Sequence, residues 1–313
     1  MDPQFKFENP KRRNDFERNP EEGFEKLFSA LADKINHEYC EPGEKNLVLN
    51  DGRINMEVFD SYDQEKDEKF IKDIKYENFG INNESIKNFY VSEIREKSNS
   101  SEGLEVSDEQ IIKYREREQE SQLSFRWEKA STVLLSRVLG NDFIVLRSSE
   151  LDDYTNKTDT VIVDKESGAV ICAIDLVNDR AGGDRYEKKL QQLKKDARGG
   201  QGGELRFGIT VEKDKKTGEK KLVKKELKNI PRFFLPAEEN DLRRLLKEMS
   251  KDFNAPLIEI EKIIFGKLLN SLEEQKGIYA QNIKQSNISE IFRLNFKKFE
   301  SSLEKMKEAK NKF

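Results

Sequence analysis

The sequence is poor in the residues that build zinc sites and nucleophilic triads. Its 313 residues include one histidine, His37, and two cysteines, Cys40 and Cys172. A structural zinc site needs four ligands of these types, so the sequence excludes one. A Ser-His-Asp triad could use no histidine other than His37. Cys172 lies inside an apolar run, and we expect it to be a small core residue.

Long apolar runs are also absent. No stretch is long enough to span a bilayer, and the first residues lack the pattern of a signal peptide. We therefore expect a cytoplasmic protein that does not contact a membrane.

Charge is abundant but unevenly distributed. Charged residues make up 38% of the chain and hydrophobic residues 35%, which predicts one core with charged helical flanks. Residues 1–120 have a net charge of −11, whereas the whole chain has −4, so the remainder is basic. We expect an acidic, helical and partly disordered region over residues 1–106, with residues 1–20 disordered. A folded α/β domain should cover residues 107–250, and helices should cover residues 251–313.

The most informative stretch is residues 159–177, which reads as two buried strands joined by a turn. Residues 160–163 are β-branched, residues 165–168 carry turn-forming types, and residues 170–177 are apolar except for Asp175. A pivot near Ser167 places Asp159 opposite Asp175 or diagonal to it, on one face of the sheet. Solvated strand ends would explain Asp159 more readily than Asp175. A divalent cation would offset the repulsion and desolvation of both carboxylates.

The order of elements from residue 125 to residue 211 is helix, three strands, helix, strand. With Asp159 opening the second strand, Asp175 in the third and Glu128 in the first helix, the sequence resembles the PD-(D/E)XK nuclease superfamily. That resemblance implies an α/β fold with an αβββαβ restriction-endonuclease-like core and a mixed sheet. It also implies a metal-dependent nuclease, with Glu128, Asp159 and Asp175 holding Mg²⁺ or Mn²⁺.

One position departs from the family motif. Where the family has a lysine two residues after the second acidic position, this sequence has Val177. Lys189 is our candidate for a replacement lysine, because it borders the inward face of the next predicted helix, and Lys188 is the second choice. The alternative is a nuclease fold that has lost its activity and only binds nucleic acid.

Basic residues surround the predicted site in the sequence. Residues 180–198 and residues 211–228 each have a net charge of +4. Such patches bind phosphate backbones, and we expect a nucleic-acid partner, DNA or alternatively RNA. The residues expected to contact it are Arg180, Arg185, Lys188, Lys194 and Lys195.

The C-terminal region allows a third interpretation. Phenylalanines and other apolar residues recur at helical spacing over residues 288–306. This stripe is expected to pack on the body of the protein. It could instead bind a protein partner, which would make the chain a helical scaffold.

Overall fold

A computed structural model describes residues 19–97, 105–120, 122–214, 218–283 and 288–312. Residues 1–18, most of the segment predicted to be disordered, lie outside the described residues. Ten α-helices occur in the described part of the chain: α1 Pro20–Tyr39, α2 Gln64–Asn78, α3 Glu84–Lys97, α4 Asp108–Glu120, α5 Leu123–Leu139, α6 Glu150–Asn156, α7 Asp184–Gly199, α8 Glu239–Glu248, α9 Glu259–Asn282 and α10 Glu290–Lys310.

The described strands form two separate sheets. Their bounds are β1 Phe143–Arg147, β2 Thr160–Asp164, β3 Val170–Val177, β4 Gly203–Lys213, β5 Lys220–Ile230 and β6 Arg232–Pro236. The main sheet has the order β1-β2-β3-β6, and the second sheet consists of β4 and β5. In the main sheet β1, β2 and β3 are antiparallel neighbours, whereas β3 and β6 are parallel. The prediction of a mixed α/β fold is confirmed.

The central hairpin forms as the sequence predicts. The carboxylate of Asp164 accepts hydrogen bonds from the backbone N–H groups of Glu166 and Ser167, both at 2.8 Å, which closes the turn. Gly168 has a φ of +70°, and a Cβ there would lie 1.7 Å from the carbonyl oxygen of Val211. Only glycine fits this position. All residues of β2 and β3 are buried, so the hairpin lies at the centre of the fold.

The expectation that residues 205–211 supply the last strand of the main sheet is wrong. Those residues belong to β4, which pairs with β5, and β6 takes the place beside β3. The reason lies in the side-chain pattern. Phe233, Phe234 and Leu235 of β6 are all buried, as a strand covered on both faces requires, whereas β4 also carries exposed and half-buried positions between its buried residues.

The helical region that begins at Asp108 consists of two helices. The capping box at its start is present, since Ser107 and Gln110 exchange side chain-to-backbone hydrogen bonds. The first helix, α4, ends at Glu120, and α5 begins at Leu123. The apolar stripe of α5, including Trp127, Ala130 and Leu134, faces the sheet and is buried.

Helix α9 covers the outer edge of β6. The Gln275 side chain accepts from Phe234 N at 2.9 Å and donates to Phe234 O at 2.6 Å. One turn later, the Tyr279 hydroxyl donates to Arg232 O at 2.9 Å and accepts from Arg232 N at 3.3 Å. These two side chains replace the neighbouring strand that the edge lacks, so β6 needs no further strand beside it.

The main core extends well beyond the central hairpin. Helix α1 contributes Phe24, Leu27 and Leu31 to the same cluster as the sheet, and a smaller cluster of Phe79, Ile81, Ile111 and Ile112 lies apart. The C-terminal stripe packs on the body, as expected, and its buried apolar residues are Ile288, Phe292, Phe296, Phe299, Leu303 and Met306. Of the helices in the described ranges, none is both long enough and apolar enough to cross a bilayer.

We predict that Gln275→Leu destabilises the protein by about 1–3 kcal/mol, the cost of one unpaired buried backbone group. The substitution removes the partner of the Phe234 N–H, whereas the Phe234 carbonyl oxygen keeps a 3.5 Å hydrogen bond from Ser271 Oγ. Urea denaturation measures the loss. The control is Gln192→Leu on the exposed face of α7, where the glutamine side chain donates to Asp196 and to no other described residue. A loss below about 0.5 kcal/mol for Gln275→Leu, the range of ordinary surface substitutions, would contradict this role.

Candidate functional site

Asp159 and Asp175 lie side by side at one end of the main sheet. The register pairs Thr160 with Ile174, and its extension by one residue places Asp159 opposite Asp175. Asp159 Oδ2 accepts a 2.6 Å hydrogen bond from Leu176 N, so its carboxylate lies against the backbone just after Asp175. Asp175 is only 7% exposed, and Asp159 is half-buried. The sequence prediction of two neighbouring carboxylates is therefore met.

Glu128 approaches the same end of the sheet from α5. One turn after Glu128, the hydroxyl of Thr132 lies 2.7 Å from that of Thr160, the residue next to Asp159. Thr132 also donates to Glu128 O at 2.9 Å. The Glu128 side chain is half-buried, and its pKa is raised first by burial, then by the charge of Asp153 and least by that of Asp175. Glu128 therefore faces the cleft that holds the aspartates.

Lys189 reaches this cleft from α7. Its ammonium forms an ion pair with Asp175 Oδ2. It also lies 5.1 Å from the ring centroid of Phe234, which is the register partner of Asp175 on β6. Asp175 and Val177 lie on the same face of the sheet, because side chains alternate along a strand. Val177 has no polar group to offer on that face, and the Lys189 side chain brings an ammonium to it. Lys188 is exposed on the same helix and makes no salt bridge to a described residue.

A fourth carboxylate, Asp153, belongs to the cleft and was not predicted from the sequence. It lies on α6, the short helix between β1 and β2, and its charge raises the pKa values of Glu128, Asp159 and Asp175. Arg53 Nη2 binds Asp153 Oδ2 at 2.8 Å. The sequence contains a start signal for helix α6, because Ser149 and Asp152 have the spacing of a capping box. In the structure Ser149 Oγ accepts a hydrogen bond from Asp152 N, as that motif requires.

Two arginines that sequence patterns did not single out accompany the carboxylates. Arg147 ends β1 and is 3% exposed, and a parallel bridge joins it to Arg53 in the segment after α1. Its guanidinium lies near Asp51 and stacks 5.5 Å from the ring centroid of Phe125. Arg147 Nη2 has no hydrogen-bond partner among the described residues. The positive charges of Arg53 and Arg147 partly offset the negative charge of Glu128.

The carboxylates repel one another in a poorly hydrated cleft. Burial, followed by the charge of Asp153, raises the pKa of Glu128 to about 8. Burial and the charge of Glu128 raise the pKa of Asp159 well above its ordinary value. Burial also raises the pKa of Asp175, although the Lys189 ammonium opposes this shift. Without a cation the cluster binds protons that ordinary surface carboxylates would release.

The donor set suits a hard divalent cation. All four acidic side chains offer carboxylate oxygens, the ligands that Mg²⁺ and Mn²⁺ prefer. Burial first, and then neighbouring negative charges, raise the pKa values of Glu128, Asp159 and Asp175, and a cation would offset both effects. Among the described residues, no three Asp, Glu, His or Cys side chains already converge on a point where one ion would sit. Binding of a cation would therefore draw the side chains of Glu128, Asp159 and Asp175 together.

The predicted nucleic-acid contacts lie before and along α7. Arg180, Arg185, Lys188 and Lys195 are exposed, Lys194 is half-buried, and none of these five forms a salt bridge to a described residue. Helical spacing puts Arg185, Lys188 and Lys195 on the outer face of α7, with Lys189 at its border and Lys194 on the opposite border. The lysines of β5 are partly engaged within the chain, since Lys221 pairs with Glu41 and Lys220 donates to Lys165 O.

Comparison with known protein families, curated proteins and solved structures finds no match to the chain. The geometry of the cleft therefore carries the functional argument.

We predict that, in the presence of a chelator, the cluster makes the protein less stable as the pH rises. The folded-state pKa values lie above the unfolded ones, so the folded state holds more protons between about pH 4.5 and pH 8, and stability falls across that window. Glu128→Gln should flatten this fall in urea denaturation at pH 5 and pH 8. The control is Glu25→Gln on the exposed face of α1. Equal pH dependence in both variants would contradict the clustering.

Proposed function

We propose that the chain is a metal-dependent nuclease that hydrolyses phosphodiester bonds in DNA or RNA. The fold we assign to it is a restriction-endonuclease-like core made of α5, β1, β2, β3, α7 and β6. In this assignment β4 and β5 form an insertion between α7 and β6. Glu128, Asp159 and Asp175 hold Mg²⁺ or Mn²⁺, and Asp153 lies beside them.

The observation that carries the proposal is the contact between Lys189 and Asp175. Nucleases of this kind need a positive group beside the carboxylates to position water and to stabilise charge on the phosphate. Val177 cannot supply it, and Lys189 places an ammonium on the same face of the sheet. The helical origin of this lysine accounts for the departure from the family motif.

The carboxylates, Lys189 and the outer face of α7 have different roles in the proposed reaction. A divalent cation held by the carboxylates would lower the pKa of a bound water and polarise the phosphoryl oxygen. Lys189 would stabilise the negative charge that develops on the phosphate. The basic outer face of α7, next to the cleft, would hold the nucleic-acid backbone without reading its sequence.

A second candidate is a nuclease-fold module that binds nucleic acid without cleaving it. Two observations favour this alternative. The third strand lacks its motif lysine, and the carboxylates of the described residues do not yet converge on an ion. Its basic surface would be the same, so only an activity assay separates the two candidates.

We predict Mg²⁺- or Mn²⁺-dependent cleavage that depends on Asp175 and Lys189. Asp175→Asn should abolish cleavage of DNA or RNA, and a chelator should do the same. Lys189→Ala should reduce the rate at saturating substrate by about a hundredfold or more, the cost of removing one preorganised group at a developing charge. The measurement is single-turnover cleavage, with thermal unfolding to show that each variant is folded.

The matched control is Lys188→Ala, which removes an exposed lysine from the same helix. It should weaken binding slightly and leave the saturated rate unchanged. Cleavage by Lys189→Ala at the wild-type rate would refute the lysine assignment. Absence of cleavage by the wild-type protein with either metal would favour the binding module.

We predict that binding to nucleic acid weakens steeply with salt through the outer face of α7. The triple variant Arg185→Ala, Lys188→Ala and Lys195→Ala should reduce the slope of log K against log salt by roughly 0.7–0.9 for each phosphate that is no longer neutralised. Fluorescence anisotropy with a labelled duplex and a labelled single strand measures the slopes. Lys220→Ala on β5 is the control. Binding that does not respond to salt would support the scaffold interpretation.

A further inference from the structure

A cavity of about 260 Å³ lies beyond the carboxyl ends of β3 and β6, and we call it the α9 cavity. Its walls combine an apolar interior with a polar rim. Trp127 and Leu268 belong to the interior, and the rim carries Glu238, Asp241, Lys267 and Glu274. Crevices at the carboxyl ends of strands are a common place for small ligands in α/β proteins.

Hydrogen bonds hold the walls of the α9 cavity in place. Ala237 N, at the end of β6, donates to Val177 O at 3.0 Å and to Asp179 O at 2.8 Å. On the opposite wall the Tyr186 hydroxyl lies 2.8 Å from Ser271 Oγ, so α7 is joined to α9. Trp127 and Leu268 are both buried in the core. The cavity is therefore preformed, and a ligand would need little rearrangement to enter it.

The rim of the α9 cavity is acidic. Three carboxylates, those of Glu238, Asp241 and Glu274, face one ammonium, that of Lys267. Lys267 is already paired with Asp241 at 2.6 Å and with Glu238 at 3.2 Å. Glu274 is exposed and forms no salt bridge to a described residue. A phosphate or carboxylate ligand would be repelled, whereas a positive group could pair with Glu274.

We propose that the α9 cavity binds a small organic cation, an ammonium or guanidinium group on a short apolar body. The positive group pairs with the Glu274 carboxylate at the rim. The apolar body lies against Leu268 and Trp127, where it is removed from water.

This binding is separate from the proposed nuclease activity. None of the carboxylates of the cleft lines the cavity. The acidic rim of the cavity attracts positive groups, whereas the basic face of α7 attracts negative ones. Cation binding is measured by ligand titration and nuclease activity by cleavage of nucleic acid. Failure of either proposal therefore leaves the other in place.

Trp127 makes the test direct, because it is the only tryptophan of the chain and it lines the cavity. The full chain is titrated with cyclohexylmethylammonium, with the neutral cyclohexylmethanol and with the anionic cyclohexanecarboxylate, and Trp127 emission is recorded. We expect a saturable change with the cation alone. No saturable change with the cation, or an equal change with the anion, would overturn the proposal.

Variants locate the binding within the cavity. Glu274→Gln should weaken the affinity for the cation about tenfold, the contribution of a charge-assisted hydrogen bond. Ala181→Phe places a ring in the cavity from an exposed position and should abolish binding. The matched control is Glu273→Gln, because Glu273 pairs with Lys276 and Lys307 away from the cavity. Equal affinity of Glu274→Gln and the wild type would also overturn the proposal.

Two further probes identify the source of the positive group. Agmatine is a free guanidinium amine, and acetyl-arginine methylamide presents the same group as a peptide side chain. Tighter binding of agmatine assigns the cavity to a free small molecule. Tighter binding of the capped arginine assigns it to a basic side chain of a peptide, with the same pairing at Glu274.

Discussion

The structure depends on holding several carboxylates at the end of an apolar sheet. Every residue of β3 is buried, so Asp175 loses most of its hydration, and Asp159 lies beside it with the same sign of charge. Such an arrangement survives only with compensation. Lys189 gives Asp175 a direct partner, and the N–H of Leu176 gives Asp159 a hydrogen bond. Burial, together with the repulsion that remains, raises the pKa values of both aspartates, and a divalent cation would offset both effects.

The C-terminal helices fix the position of this cleft although they lie outside it. Helix α9 satisfies the edge of β6 through Gln275 and Tyr279, and β6 in turn pairs with the segment of β3 that carries Asp175. The same helix holds α5 through a buried ion pair between Glu261 and Arg137. Loss of one partner of such a pair would leave an uncompensated buried charge. Stability of the C-terminal region and geometry of the cleft are therefore linked.

Much of the site could be predicted because its signals are local. The β2–β3 hairpin follows from β-branched runs and a turn sequence, and its register places Asp159 beside Asp175 by counting along the chain. Lys189 could be found from the helical spacing of α7, since a residue at the border of a buried stripe can reach over apolar surface. The break between α4 and α5 carried no comparable signal, and both sides of it favour helix.

The sequence by itself determined the hairpin, the acidic pair, the candidate lysine and the mixed α/β class, because each depends on neighbouring residues and on the periodicity of strands and helices. Only the tertiary structure decided that β6, rather than β4, lies beside β3. The position beside β3 is buried on both faces, and two strands distant in sequence, β4 and β6, could occupy it. Tertiary structure also brought Asp153, Arg53 and Arg147 to the cleft. Arg53 and Asp153 are 100 residues apart, and only the packing of the segment after α1 onto β1 makes them neighbours.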